Sequence, residues 1–356
     1  MTIPPGGSRV SDIRFGIIGT GVPEQTLDGL PQYNGIAEWH AHYINETEGA
    51  RVVACVSRTE AHAKRFAEKF GIEYYTDYRE LLQRDDVDAV SICTASGAHA
   101  EAIIAAAEAG KHVLVEKPLD VTLEKCDAAI EACQKAGVML SVSFTVRFVP
   151  AIGAIKEAVD RGDFGRLICG TAMCRRYRDE EYYAESQWRG TWAWDGGGAC
   201  MNQGIHTIDT FLWLFGPVES VYAQTDTLGH KALEVEDVAC ATLRFKSGAI
   251  ANIQCTTCAY PDFREDIAVH GEKGSVLWGD NGFRWEMMDP EFKFNPDDYA
   301  VRSEPYGRHR FFYADVVDAL GNGRPPKVDG RQARVAVEVI LAMYESARTG
   351  EVVRLG

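Results

Sequence analysis

The chain has 356 residues, 37 of them basic and 52 acidic, for a formal charge of −15. That length predicts about two domains at roughly 150 residues each, and a chain 46% hydrophobic and 25% charged is a folded globular protein, not a disordered one. The acidic balance excludes a general nucleic-acid or anionic-membrane surface, since phosphate-rich partners are repelled, and no apolar run approaches the ~18 residues that span a bilayer.

The start, Met1 to Arg14, is rich in Pro, Gly and Ser and lacks an apolar signal core. The ten cysteines sit in contexts such as Val53-Ala-Cys55-Val and Ser91-Ile-Cys93-Thr, which reads as reduced thiols in a cytoplasmic protein. Cys255 and Cys258 form a lone C-x-x-C with no second pair at zinc spacing, so no metal is expected.

Runs apolar on both faces at 14–19, 51–56, 89–93, 112–115 and 139–144 predict strands of a parallel sheet covered by helices. The stretches 61–70, 99–109 and 123–136 predict helices that stop at Gly71, Gly110 and Gly137. Strand–helix alternation with short connections gives a doubly wound α/β domain over residues 1–149. Beyond it, a helix at 151–161 precedes short strand candidates at 167–174, 218–224, 238–245, 249–256, 267–270 and 275–278. A final helix at 331–349 ends at Gly350. This predicts a second domain over 150–356, of α+β type with a mainly antiparallel sheet.

Gly19-Thr20-Gly21 directly follows the first strand, where a pyrophosphate-binding turn belongs. The usual third small residue is displaced. Residues 22–34, which include Pro23, Gly29 and Pro31, intervene before a helix restarts at Gly35. They read as an insertion, either a tolerated surface loop or a flap or subunit contact. Ser57-Arg58-Thr59 stands where an acid would accept from a ribose 2′-hydroxyl. Arg58 suits a 2′-phosphate instead, which favours NADP over NAD.

Two further segments are distinctive: Glu116-Lys117-Pro118, and Gly196-Gly-Gly-Ala-Cys-Met-Asn202-Gln-Gly-Ile-His206-Thr-Ile-Asp209. With the opening Gly-Ile-Ile-Gly-Thr-Gly, Tyr75-Thr-Asp-Tyr-Arg-Glu-Leu-Leu, Arg147-Phe, Trp188-Arg-Gly-Thr-Trp192 and Ser346-Ala-Arg-Thr-Gly, the chain resembles the glucose–fructose oxidoreductase / inositol dehydrogenase / rhizopine-catabolism (Gfo/Idh/MocA) family over nearly its whole length. The resemblance implies an N-terminal Rossmann domain and a C-terminal domain with a large open sheet. It also implies a homodimer or homotetramer assembled through that sheet, and NAD(P)(H)-dependent redox chemistry on a sugar, polyol or related secondary alcohol.

Such a reaction needs a base for the hydroxyl proton and a positive group for the developing alkoxide. The resemblance gives Lys117 the contact with the reacting alcohol, and makes His206 the acid/base. Asn202 stands where relatives often carry an acid, so it is expected to orient a substrate hydroxyl. On a helical wheel Met201, Ile205, Ile208, Leu212 and Phe215 form an apolar stripe, with Asn202, His206 and Asp209 on the adjacent face. Asp209 either borders the cleft or holds His206 or a neighbouring helix end.

The resemblance sets Thr94, Ala95, His99 and Glu116 against the cofactor, with Gly19, Thr20, Gly21, Ser57 and Arg58; His99 either takes part there or only starts the next helix. Arg147 is expected near substrate or cofactor, or in a domain-interface ion pair. Arg175, Arg176, Arg178 and Arg189 are interleaved with Tyr177, Tyr182, Tyr183, Trp188 and Trp192. Arg176 and Trp192 are candidate substrate contacts, since guanidinium binds anions and aromatic rings stack on sugars. The plainer reading pairs these arginines with Asp179, Glu180, Glu181 and Glu185. His309 and Tyr313, one helical turn apart, are candidates for the cleft or the core. The competing activity is redox-assisted glycoside hydrolysis or elimination with a retained NAD. A non-enzymatic binding protein is the third reading, and the pairing of Lys117 with His206 argues against it.

Overall fold

A computed structural model describes residues 12–21, 35–186, 188–280, 282–299 and 306–356; the 22–34 insertion lies outside the described residues. The N-terminal half alternates β1 (Ile13–Ile18), α1 (Ile36–Glu46), β2 (Ala50–Val56), α2 (Glu60–Phe70), β3 (Glu73–Tyr75), α3 (Tyr78–Leu82), β4 (Ala89–Ile92), α4 (His99–Glu108), β5 (His112–Val115), α5 (Leu123–Ala136) and β6 (Leu140–Val142). Its six strands lie in the order β3-β2-β1-β4-β5-β6, all parallel. Phe15, Ile17, Val90, Ile92, Val113 and Leu114 are fully buried, which is why these strands read as continuous apolar runs. The elements β3 and α3 escape the sequence reading because each is only a few residues long.

Pro150 opens α6 (Pro150–Arg161), where a missing N–H costs nothing. The second half continues with β7 (Leu167–Arg175), α7 (Glu180–Ala184), α8 (Ile205–Phe215), β8 (Val218–Asp226), β9 (Val238–Phe245), β10 (Ile250–Thr256), β11 (Arg264–Gly271), β12 (Gly274–Gly279), β13 (Gly282–Met287), α9 (Arg308–Asn322), α10 (Gly330–Thr349) and β14 (Val353–Arg354). Eight strands form an open sheet in the order β13-β12-β11-β7-β10-β9-β8-β14. Its pairings are antiparallel except β7 with β10. The expected mainly antiparallel sheet is present, with β13 and the two-residue β14 the strands not foreseen. One face packs on α8 and α10. The other is open and carries Tyr222, Ile250 and Leu277 at 42, 45 and 39% exposure.

The last two helices return to the N-terminal half. Val142 N donates to Val328 O at 3.2 Å, and Arg334 on α10 pairs with Asp127 on α5 at 2.5 Å. Trp39 on α1 stacks on Tyr306, just ahead of α9, with ring centroids 5.2 Å apart. All ten cysteines are free thiols. No helix among the described residues is long and apolar enough to cross a membrane.

Candidate functional site

A cleft of about 2270 Å³ runs between the C-terminal ends of the parallel strands and the open sheet. Gly19, Gly21, Ser57, Arg58, Thr94, Ala95, Glu116 and Lys117 line it from the first half. Arg176, Arg178, Arg189, Asn202, Gln203, His206 and Arg308 line it from the second. This is the crevice where doubly wound sheets take ligands.

The glycine turn is built by close approach. Gly19 has φ +99, and a Cβ there would lie 2.8 Å from the Thr94 amide, so β1 meets the β4 loop only through glycine. The amides of Gly19 and Thr20 both donate to Val56 O at 3.0 Å. Thr20 is fully buried and its Oγ1 turns to the same carbonyl. The expectation for Thr20 is corrected accordingly: it closes the turn and does not line the cleft. Among the described residues, nothing lies within 4 Å of the Gly21 Cβ position.

Arg58 is exposed and makes no ion pair among the described residues. Thr94 Oγ1 is buried without a partner at the cleft wall. The glycine turn, the exposed Arg58 guanidinium and the orphaned Thr94 hydroxyl fit a dinucleotide. His99 does not reach the cleft, because its Nδ1 and Nε2 bind Pro118 O at 2.7 Å and Thr94 O at 3.1 Å. It ties together the two loops that do.

Lys117 stands at the end of β5, and its Nζ donates to the backbone O of Asn202 at 2.8 Å. Burial pulls Lys117 below the usual lysine range, while Glu116 and then Asp195 support its charge. The Asn202 carbonyl is free to accept because residues 199–204 form a π-helical turn ahead of α8; such turns recur at functional sites. The glycines before it admit close neighbours. A Cβ at Gly198 would lie 2.1 Å from Glu236 O, and the Glu236 carboxylate caps the turn by accepting from Gly198 N and Cys200 N, each at 2.8 Å.

Met201, Ile205, Ile208, Leu212 and Phe215 are buried as the wheel predicts. His206 faces the cleft edge-on to Phe144. Burial, then the Lys117 charge, hold its imidazole well below the usual histidine range. Its Nδ1 is sealed from solvent without a partner, which leaves Nε2 as the nitrogen open to the cleft.

Asp209 lies one turn deeper and does not assist His206. It takes Arg147 in a forked pair at 2.7 and 2.6 Å, with both side chains buried. The expectation of Arg147 at the substrate is therefore corrected: it pins the first half of the chain to α8. Trp192 is also off the cleft, 47% exposed and edge-on to Tyr344. The segment that carries it is held outward where Gly97 N donates to Trp194 O at 2.9 Å.

Two of the four arginines pair with β11, not with the 179–185 acids. Arg175 binds Asp266, and Arg176 binds Glu265 at 2.5 Å. Arg189 does meet Glu185, at 3.5 Å, while Asp179 caps α7 and Glu180 accepts from Lys231 N. Arg178 has no carboxylate partner among the described residues. It binds Tyr177 O and Gln203 Oε1, and its Nε is buried with no acceptor.

Asp195 is a site residue that the sequence reading missed. It is 1% exposed, accepts from Asn202 Nδ2 at 2.6 Å and Gly190 N at 3.0 Å, and is pushed up to about 6 by burial. Its only sequence signal is its place directly before the three glycines.

Away from the cleft, the C-x-x-C splits. Cys255 is buried, whereas Cys258 is exposed with its Sγ 3.7 Å from His230 Nδ1.

Comparison with known proteins agrees with this architecture. Residues 13–144 match the family model described as "Oxidoreductase family, NAD-binding Rossmann fold", and residues 152–277 match the GFO/IDH/MocA C-terminal domain. The chain is similar to the WlbA dehydrogenase from Bordetella pertussis, solved with NADH and UDP-GlcNAcA: 33% identical, covering 97% of this chain and 99% of that one, with a TM-score of 0.85. It is 29% identical to a myo-inositol 2-dehydrogenase of Thermotoga maritima, over 96% of this chain and 98% of the relative. It is 30% identical to a D-xylose 1-dehydrogenase (NADP(+)) of Haloferax volcanii, over 85% and 91%. The chain belongs to the Gfo/Idh/MocA oxidoreductase family, and its first half is the family's NAD-binding Rossmann domain.

Proposed function

We propose that the protein is an NAD(P)-dependent dehydrogenase or reductase acting on a secondary alcohol or ketone of a sugar derivative that carries an anionic group. The observation that carries this reading is the meeting of Lys117 and His206 on one cleft with the glycine turn. Gly21, Arg58, Thr94, Ala95 and Glu116 would hold the dinucleotide. When bound, the cofactor supplies the hydride donor or acceptor, and the protein supplies alignment and charge. Lys117 Nζ meets the substrate oxygen and stabilises its negative charge. His206, neutral through burial, takes the hydroxyl proton at Nε2 or returns it. Asn202, anchored on Asp195 and on Gln203 Nε2 at 2.7 Å, orients a neighbouring hydroxyl.

Arg178, whose Nε lacks an acceptor, argues for a carboxylate or phosphate on the substrate. The WlbA relative was solved with a nucleotide-linked sugar acid, which points the same way. Arg58 favours NADP, as does the NADP-named xylose dehydrogenase relative. The exposed apolar face of the open sheet, with Tyr222, Ile250 and Leu277, supports a homodimer or homotetramer joined there.

Neutral sugars, polyols, sugar acids and nucleotide-linked sugars, each offered with NAD and with NADP, test the reading by reduced-cofactor absorbance. Turnover of an anionic sugar with stoichiometric reduced cofactor is expected. Aglycone release without net reduction would overturn it.

A further inference from the structure

Three metal-ligating side chains converge outside the cleft, behind the segment that carries Arg178. His230 Nδ1 lies 3.0 Å from Asp237 Oδ2 and 3.7 Å from Cys258 Sγ, and the three atoms all lie within 4.8 Å of one another. The His230 and Asp237 side chains are buried, whereas Cys258 is exposed. Backbone amides fix the carboxylate: Oδ1 accepts from Leu228 N at 2.8 Å, and Oδ2 accepts from Gly229 N at 2.7 Å and His230 N at 2.9 Å. A Cβ at Gly229 would lie 2.5 Å from Cys258 Sγ and 3.4 Å from Asp237 Oδ2, so glycine leaves the thiol its place beside the acid. The C-x-x-C plays no part as a pair, because Cys255 is buried in the core. Cys258 finds its partners 21 and 28 positions upstream.

The two nitrogens of His230 define the chemistry. Nε2 lies 2.8 Å from the Arg178 carbonyl, a group that only accepts. In the neutral ring Nε2 therefore carries the hydrogen, and Nδ1 turns a lone pair toward a carboxylate oxygen and a sulfur. A relay that activates a thiol sets the cysteine and the acid on opposite nitrogens. Here both face the same one, and a cation satisfies lone pairs that meet at one point. A ligating histidine commonly donates its other N–H to a backbone carbonyl, which fixes the ring, and the Arg178 carbonyl occupies that place. Ligand atoms at about 2.0–2.3 Å around a tetrahedral zinc lie roughly 3.3–3.6 Å from one another, close to the 3.0 and 3.7 Å found. Imidazole, carboxylate and thiol together suit zinc and not the oxygen-seeking magnesium or calcium.

We propose that His230 Nδ1, Asp237 Oδ2 and Cys258 Sγ form a zinc site, with water completing the tetrahedron on the exposed side. The ion would tie the segment between β8 and β9 to the end of β10 and, through the Arg178 carbonyl, to the strand end that carries Arg178. Burial, then the Asp237 charge, push the Cys258 thiol up, so the metal-free site holds an S–H. Binding breaks that S–H bond, forms a zinc–sulfur bond and releases one proton to solvent. The inference does not depend on the activity proposed for the cleft.

The test uses the full chain, stripped with a chelator under reducing conditions and titrated with Zn²⁺ alone against a chromophoric competitor. One ion per chain is expected, with about one proton released. Cys258→Ser and His230→Gln should each weaken binding by about 100-fold or more, since loss of an outer partner alone costs roughly 10–100-fold. Cys240→Ser, at an exposed thiol on β9, should leave the isotherm unchanged. Co²⁺ in place of zinc should give a thiolate-to-metal charge-transfer band that survives Cys240→Ser and is lost in Cys258→Ser. Circular dichroism checks that each variant is folded, and the exposed Cys258 position serves if His230→Gln is not. The proposal is overturned if the wild type binds zinc no more tightly than Cys258→Ser does, or if the cobalt band persists in that variant. Either result would leave His230 as an imidazolium held between two acceptors.

Discussion

Lys117 and Asn202, 85 positions apart, meet through a 2.8 Å hydrogen bond from the ammonium to a backbone carbonyl of the π-helical turn. That bond joins the end of a Rossmann strand to the helix entry of the second half, and it brings the two segments that carry the family resemblance into one cleft. A substrate oxygen that reaches Lys117 has to share or replace this carbonyl.

Lys117→Met should lower kcat by about 10²–10³ while leaving cofactor affinity within a few-fold, because charge on the alkoxide is lost and the glycine turn is untouched. His206→Ala should cost about 10²–10⁴ in kcat. Stopped-flow absorbance with the substrate found in the screen reads both, and a full-rate hydride step in either variant would remove that residue from the chemistry.

Asp195 titrates at about 6 in the folded protein, above its ordinary value of 3.8. A carboxyl raised by burial is most stabilising while protonated, so its contribution is complete below about pH 4 and is lost as pH rises through 6. The stability difference between wild type and Asp195→Asn should shift toward the variant by on the order of 2–3 kcal/mol between pH 4 and pH 7. Urea unfolding across that range measures it. A constant difference would mean that Asp195 is not raised.

The Arg147–Asp209 pair is structural. Asp209→Ala should destabilise by roughly 3–5 kcal/mol, because it leaves a buried guanidinium unpaired, whereas Arg147→Met with Asp209→Leu should recover most of that loss. Substrate KM should stay within about twofold in the double variant, since neither side chain lines the cleft. A selective rise in KM would return Arg147 to the binding site.

Arg58→Ala should weaken NADP binding by about tenfold and change NAD binding little, because a single forked phosphate contact is removed. Equal losses for both dinucleotides would show Arg58 working only on the shared part of the cofactor. Calorimetry with each cofactor separates the cases.

Arg178→Gln should raise KM for an anionic sugar by about tenfold while leaving neutral sugars unaffected. Equal effects on both classes would assign Arg178 to holding Gln203 in place.

Much of this was legible from residues alone. Elements with whole turns or full apolar runs, such as α5, α10, β5 and β9, lie within a residue or so of their expected bounds, because burial on both faces and a stopping glycine are local signals. Lys117 and His206 carried a motif, and both line the cleft. Asp195 was missed because one acid in a Trp-Asp-Gly stretch has no periodicity to mark it. Trp192 was expected at a ligand and lies elsewhere, while Arg147 and His99 take the alternative each was given, an ion pair between the halves and the start of a helix. A residue type states what a side chain can bind, but its partner comes from another part of the chain.

The sequence by itself determined the two-domain α/β architecture, the glycine turn, and the residues suited to proton transfer and alkoxide stabilisation, since these follow from local pattern and side-chain chemistry. Only the tertiary structure decided which charges meet. Glu116 meets His40 of α1, 76 positions away, and His309 of α9, 193 positions away, while Asp209 of α8 belongs to Arg147, 62 positions away, because packing brings α1, α8 and α9 against the strand ends of the first domain. Desolvation and charge pairing act through space, and that distance is set by packing, which no short stretch of sequence records.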